Sequence, residues 1–289
     1  MVDRWGLLAA VCSLVACGGE LVETPLDASS TADTFVADTF VADPADSAAV
    51  DSKSSDGAPV DATSDAPAGC VTGRGGPMVD VGTYCIDKYE VTNGDYNKFL
   101  DAPSAERTDV PGCEWNDGFE TPVIDPAAAK RPRRNVDWCD AAAYCKWAGK
   151  RLCGQRGGAS VPYVLFADPT KSEWMDACTA GGTQTYSYAG TYDETKCQTG
   201  STGGILDVGS RPACHGATAP YDAIFDLTGN AYEWEDSCQL SPPLKTSYCH
   251  GPGGGAGDGE PKARCASSDT VARADQKYDG LGFRCCKTP

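Results

Sequence analysis

The sequence predicts an α+β domain over residues 70–289 that is compact, loop-rich and stapled by disulfides, with little regular secondary structure. Three observations predict it. Gly, Pro and Cys number 33, 19 and 16 in 289 residues, a composition that favours irregular, cross-linked structure over long helices. Only three segments of the domain place apolar residues at helical spacing, and each is short. The remainder, 183–289, is punctuated by Gly and Pro between brief apolar runs, the pattern of loops and short strands.

The chain opens with "MVDRWGLLAAVCSLVAC", one Arg followed by an apolar run from Trp5 to Ala16 and small residues ending at a cysteine. That run is too short to span a bilayer as a stable helix and has signal-peptide length, which assigns residues 1–16 to an export signal. Leu14-Val15-Ala16-Cys17 resembles a bacterial lipobox, whose cysteine takes a diacylglycerol and becomes the mature N-terminus. Cys17 is therefore the expected lipid anchor, holding the protein on a membrane without spanning it. The competing reading is an ordinary secretory signal with an incidental cysteine.

Residues 17–69 read as an acidic spacer. From 20 to 69, eleven Asp or Glu stand against Lys53 alone, with a tandem "DTFVADTFVAD" at 33–43. Low hydrophobicity with charge of one sign buries too little surface to offset chain entropy, so the expectation is a disordered stalk. The net charge of −17 divides into −10 for the spacer and −7 for residues 70–289. Neither part carries the basic stripe that nucleic acid binding requires, which excludes that class of partner. Gly18-Gly19 after Cys17 lacks the Asp that commonly retains lipoproteins at the inner membrane, so the expected location is the outer membrane.

Fourteen cysteines lie between Cys70 and Cys286, an even number that reads in an exported chain as up to seven disulfides. Zinc is the competing reading. Cys285-Cys286 and the Cys139 to Cys145 spacing are not knuckle spacings, and His215 and His250 are too few to complete several sites. The three helices follow in order. "YCIDKYEVTNGDYNKFLDA" begins as a strand and turns helical at Thr92, whose hydroxyl and Asp95 approximate a capping box, with Tyr96, Phe99 and Leu100 on one face. "VDWCDAAAYCKWAGKRLC" (136–153) places Ala142, Cys145 and Ala148 on a stripe and Gly149 as its stop. "DPTKSEWMDACTAGG" (168–182) places Trp174, Ala177 and Cys178 on a face ended by Gly181-Gly182.

"YEVTNGDYNKFLDA", "VDWCDAAAYCKWAGKRL", "SEWMDACTAGG", "VGSRP", "DLTGNAYEWEDS" and "GLGFRCC" resemble, in order, the landmarks of the sulfatase-modifying-factor domain, the family of the formylglycine-generating enzyme. The resemblance covers residues 78–289, with an insertion near 154–170. It implies the formylglycine-generating-enzyme fold, a compact α+β domain related to C-type lectins. It also implies two disulfides, Cys145 with Cys285 and Cys178 with Cys265. Each closes a long loop, for which the chain-entropy model gives an upper figure of about 4 to 5 kcal/mol.

Within "DLTGNAYEWED", Asp226 and Glu233 offer carboxylates while Gly229 and Ala231 offer carbonyl oxygens, donors of the kind calcium takes in sets of about six to eight. Spacing alone equally suits a turn with solvated acids. The resemblance implies a structural calcium site at those four positions, with Asp226 where the family has Asn.

The family's activity is oxidation of a substrate cysteine to formylglycine by oxygen, with Cu(I) held by two cysteines five residues apart. Soft thiolates select Cu(I), and both are needed. Here "TSYCHG" aligns Ser247, Tyr248, Cys249 and His250 with the segment leading to the first copper cysteine, which makes Cys249 and Ser247 the catalytic candidates. Five residues on stands Gly254, so the second thiol is absent. Tyr232 and Gly280 replace a family Trp and Asn near the copper. The competing reading pairs Cys249 in a disulfide, with Cys238 as the candidate partner, since fourteen cysteines pair evenly only if Cys249 takes part. The leading expectation is a lipid-anchored, non-catalytic binding or structural module for a protein, a peptide or an envelope glycan. An oxidoreductase acting on a cysteine of an exported substrate is the alternative, and copper belongs to that reading only.

Overall fold

The computed structural model describes residues 69–71, 73–200, 203–239, 242–267 and 271–289. The signal peptide, Cys17 and nearly all of the spacer lie outside the described residues. Strand β1 (Met78–Asp80) pairs antiparallel with β2 (Cys85–Asp87), where Val79 faces Ile86. Helix α1 (Asn93–Leu100) starts where the Thr92 hydroxyl accepts the Asp95 N–H at 3.1 Å. Tyr96 and Phe99 are fully buried on its inner face, while Leu100 packs half-buried at the edge.

Helix α2 (Trp138–Trp147) carries a capping box between Asp137 and Asp140. The sequence predicts an apolar stripe here, yet every residue from Trp138 to Cys145 is buried. The difference arises because α2 is surrounded: it packs on α1, on the strand that follows it, and on Cys113 through the Cys113–Cys139 bond. Gly149 ends it at φ 72°, donating to the Lys146 carbonyl, in the left-handed conformation that a glycine adopts at little cost. Strand β3 (Arg151–Leu152) follows directly. Helix α3 (Glu173–Cys178) is shorter than the 168–182 expectation, because Asp168 folds a turn on Thr170 and Ser172 supplies the N-cap.

Beyond α3 lie β4 (Tyr232–Trp234), β5 (Tyr248–His250), β6 (Val271–Arg273), β7 (Leu281–Phe283) and β8 (Cys285–Lys287). They form a four-stranded antiparallel sheet in the order β1-β2-β8-β3, a parallel β4-β7 pair and an antiparallel β5-β6 pair. Two hydrophobic clusters result, one around α1, α2 and Phe283, the other around α3, Tyr84 and Ile224.

All fourteen cysteines of this region are paired in seven disulfides. Cys145–Cys285 ties α2 to β8 across 140 residues, and Cys178–Cys265 ties α3 to a late loop across 87. Between the clusters, Arg284 is fully buried and grips Glu233 with two bonds of 2.6 Å, while donating to the carbonyls of Asp87 and Phe225. Removing one member of a buried pair leaves an uncompensated charge. Arg284→Met is therefore expected to cost about 3–5 kcal/mol in chemical denaturation. The double variant Arg284→Met/Glu233→Leu is expected to regain part of that loss, and a double variant weaker than the single one would contradict this account.

Candidate functional site

The segment that aligns with the copper site begins at β5. Cys249 is fully buried and bonded to Cys238, with the two Cα atoms 4.0 Å apart. Ser247 is 1% exposed, and its carbonyl accepts the Ala274 N–H, so neither catalytic candidate presents a group to solvent. His250 is buried next to them. Its imidazole stacks on Tyr163 at 4.2 Å and Phe166 at 3.8 Å, rings that at such distances must take opposite faces. Both rings come from the insertion at 154–170. The His250 Nε2–H donates to the Tyr163 carbonyl at 3.1 Å, and burial pulls its pKa down to about 4. Cys249 and His250 are thus a disulfide and a neutral packed ring.

The glycine run that follows has its own steric reason. Gly253 and Gly254 hold φ of 100° and 73°. A Cβ at Gly254 would lie 2.9 Å from the Lys262 carbonyl oxygen and 3.0 Å from the Ala263 Cα. A cysteine at this position would clash with backbone as well as strain its own. The residues present do not fit Cu(I): one aligned thiol is in a disulfide, the other position is closed to any side chain, and Cys265 is bonded to Cys178.

Beside this run opens a cleft of about 700 Å³, floored by Gly255, Ala256 and Gly257 and walled by Tyr232, Ile205, Leu206, Arg131 and Arg134. The Tyr232 hydroxyl donates to Asp258, which also accepts the Gly255 N–H at 2.9 Å, so the replaced aromatic residue pins the glycine run. Gly280 lines the same cleft at φ 144° with open space where a side chain would stand. The two family departures, at 232 and 280, therefore shape one cavity.

The four calcium candidates are divided by the fold. Asp226 is buried at φ 59° and accepts the Gly209 N–H at 2.6 Å, and burial raises its pKa to about 6. Gly229 and Ala231 lead into β4, while Glu233 gives one oxygen to Arg284 alone and the other to Arg284 and to the Trp174 Nε1–H at 2.8 Å. Glu90, which the sequence reading passed over, is buried here too; it accepts from Asn230 and Ala231, and burial followed by the charges of Asp226 and Glu233 holds its pKa well up. Three buried carboxylates thus face the single guanidinium of Arg284. The negative charge suits a cation, but Arg284 already takes most of Glu233, and among the described residues no three His, Cys, Asp or Glu side chains converge as a metal cage.

Sequence reasoning also missed Glu235, two residues past Glu233 in a landmark that the apolar pattern alone could not resolve. It is fully buried, accepts the Ser172 hydroxyl at 2.5 Å and leaves its other oxygen without a partner. Burial, with Asp236 and Glu173 nearby, raises its pKa from 4.5 to about 8. Between those values the folded state keeps a proton that the unfolded chain releases, so stability from this group is complete below pH 4.5 and is lost as pH rises through 8. His250 acts oppositely but only below its ordinary 6.5. Glu235→Gln is expected to flatten the fall in melting temperature between about pH 6.5 and 8. An unchanged slope in that variant would reject the assignment.

Comparison with known proteins accords with this geometry. The inactive C-alpha-formylglycine-generating enzyme 2 of Bos taurus is 25% identical over 259 residues, covering 73% of this chain and 79% of its own. The formylglycine-generating enzyme of Bos taurus is 24% identical over 280 residues, covering 72% of this chain and 66% of that enzyme. The crystal structure of CarF shares the fold, with a TM-score of 0.50 at 17% identity over 71% of this chain and 86% of CarF. The sulfatase-modifying factor enzyme 1-like domain matches residues 52–289, and over that extent the chain belongs to the FGE-sulfatase family.

Proposed function

We propose that this domain is a non-catalytic binding module whose ligand seat is the cleft beside the glycine run. The observation that carries the reading is the Cys238–Cys249 disulfide together with the closed position at Gly254. A thiol-copper oxidation needs two free thiols, and the aligned segment offers none. The space around Tyr232 and Gly280 forms a cleft of about 700 Å³, within the range of small-ligand sites. Its relatives carry both active and inactive names, so membership in the family does not by itself assign oxidation.

Anchoring completes the reading. Cys17 carries the lipid, the acidic spacer sets the domain off an outer membrane, and the ligand is a protein, peptide or glycan of the envelope. Mass spectrometry of the mature chain with free thiols trapped reads both parts. The expected result is a Cys238–Cys249 linked peptide in all molecules and a diacylated N-terminal peptide starting at Cys17. A trapped free Cys249, with conversion of a sulfatase-motif peptide to formylglycine, would instead favour the oxidoreductase.

Calcium enters as a structural ligand of Asp226 and the Gly229 and Ala231 carbonyls, favoured by the under-compensated charge of Glu90, Asp226 and Glu233. Saturating calcium is expected to raise the melting temperature of the wild type and not that of Asp226→Ala. Equal melting curves with calcium and with chelator in the wild type would remove calcium from the account.

A further inference from the structure

Next to the cleft lies a second chamber of about 280 Å³, and the two share Arg131, Arg134 and Asp279 along their common rim. Its inner wall is Arg133, only 4% exposed, with the guanidinium carbon 4.5 Å above the Tyr96 ring. The backbone fixes it there. The Arg133 N–H donates to the Val91 carbonyl at 2.7 Å, and Pro132 bridges to Thr92, so the side chain can only turn inward against α1.

A buried guanidinium ordinarily meets a carboxylate or carbonyl, because leaving its donors unmet in a poorly solvated site is costly. Here the Nε of Arg133 is buried without an acceptor. The acids in the same wall are already engaged: Asp279 pairs with Arg134, and Glu120 with Lys277. Arg131, at the mouth of both chambers, likewise has no acid partner among the described residues. Two cations therefore face one small chamber whose acids are neutralised by others.

We infer that this chamber is an oxyanion subsite of the cleft: Arg133 at its base and Arg131 at its mouth receive a carboxylate, sulfate or phosphate group at the end of a ligand whose body lies in the larger cavity. The planar fork of arginine matches such groups with two parallel hydrogen bonds, and the Tyr96 ring beneath it seats the guanidinium of Arg133. The position of the ligand's body rests on the binding-module reading, whereas the anion subsite itself does not.

The test is isothermal titration of the full mature chain at low ionic strength with sodium succinate, sodium sulfate and inorganic phosphate in separate arms. The expected result is saturable binding in at least one arm, weakened at least tenfold in Arg133→Met and in Arg131→Ala, and partly kept in Arg133→Lys. Arg131 is exposed, so its variant reports binding even if Arg133→Met folds poorly. Preference for succinate assigns a carboxylate ligand, and preference for sulfate or phosphate assigns an ester of that kind. Absence of saturable binding in all three arms overturns the subsite, as does binding that neither substitution weakens. A free, reactive Cys249 would sink the module reading while leaving these titrations intact, so the two fail separately.

Discussion

The buried ion pair of Arg284 and Glu233 is the interaction on which this fold turns. Arg284 sits between β7 and β8, Glu233 lies in β4, and the carbonyls that Arg284 also reaches belong to Asp87 and Phe225. Trp174 of α3 donates to the same carboxylate. One guanidinium thereby joins segments up to 197 residues apart that belong to two separate sheets, β2-β8 and β4-β7, and to helix α3. The β2-β8 and β4-β7 ladders stop short of each other at Arg284, and a fork with five donors bridges them.

A second polar junction lies beside it. Lys150 pairs with Asp87 at 2.5 Å, and the other Asp87 oxygen accepts the Cys285 N–H at 2.9 Å. Cys285 in turn is bonded to Cys145 of α2. The disulfide and the ion pair therefore converge on the same two residues of β8 and its approach, which explains how a core made largely of short strands and loops can hold one arrangement. Burying ions costs solvation, but once they are buried and matched, any alternative packing must leave one of them unpaired.

The segment aligned with the family's copper site is held by packing and a disulfide. Cys249 in β5 is half of a disulfide, and the glycine run lies so close to Lys262 and Ala263 that no side chain can enter at 254. His250 is enclosed by two rings of the insertion. A cleft opens beside the glycine run, with Tyr232 tied to Asp258 and Gly280 leaving room.

Much of the architecture was legible from residue order alone. Thr92 and Gly149 mark helix ends through local backbone chemistry, and an even count of domain cysteines marks a stapled domain. The missing second thiol was equally legible, because a Gly in place of a ligand needs no tertiary information. Nothing local in the sequence says that Arg133 turns inward over Tyr96 while Arg131 stays at the surface. Glu233 was read as an open carboxylate for the same reason, since its partner Arg284 lies 51 residues away. What the sequence determined by itself was the three helices, the even count of domain cysteines and the absent ligand. Only the tertiary structure decided which charges meet, because burial and pairing depend on segments that are distant in the chain and adjacent only once it has folded.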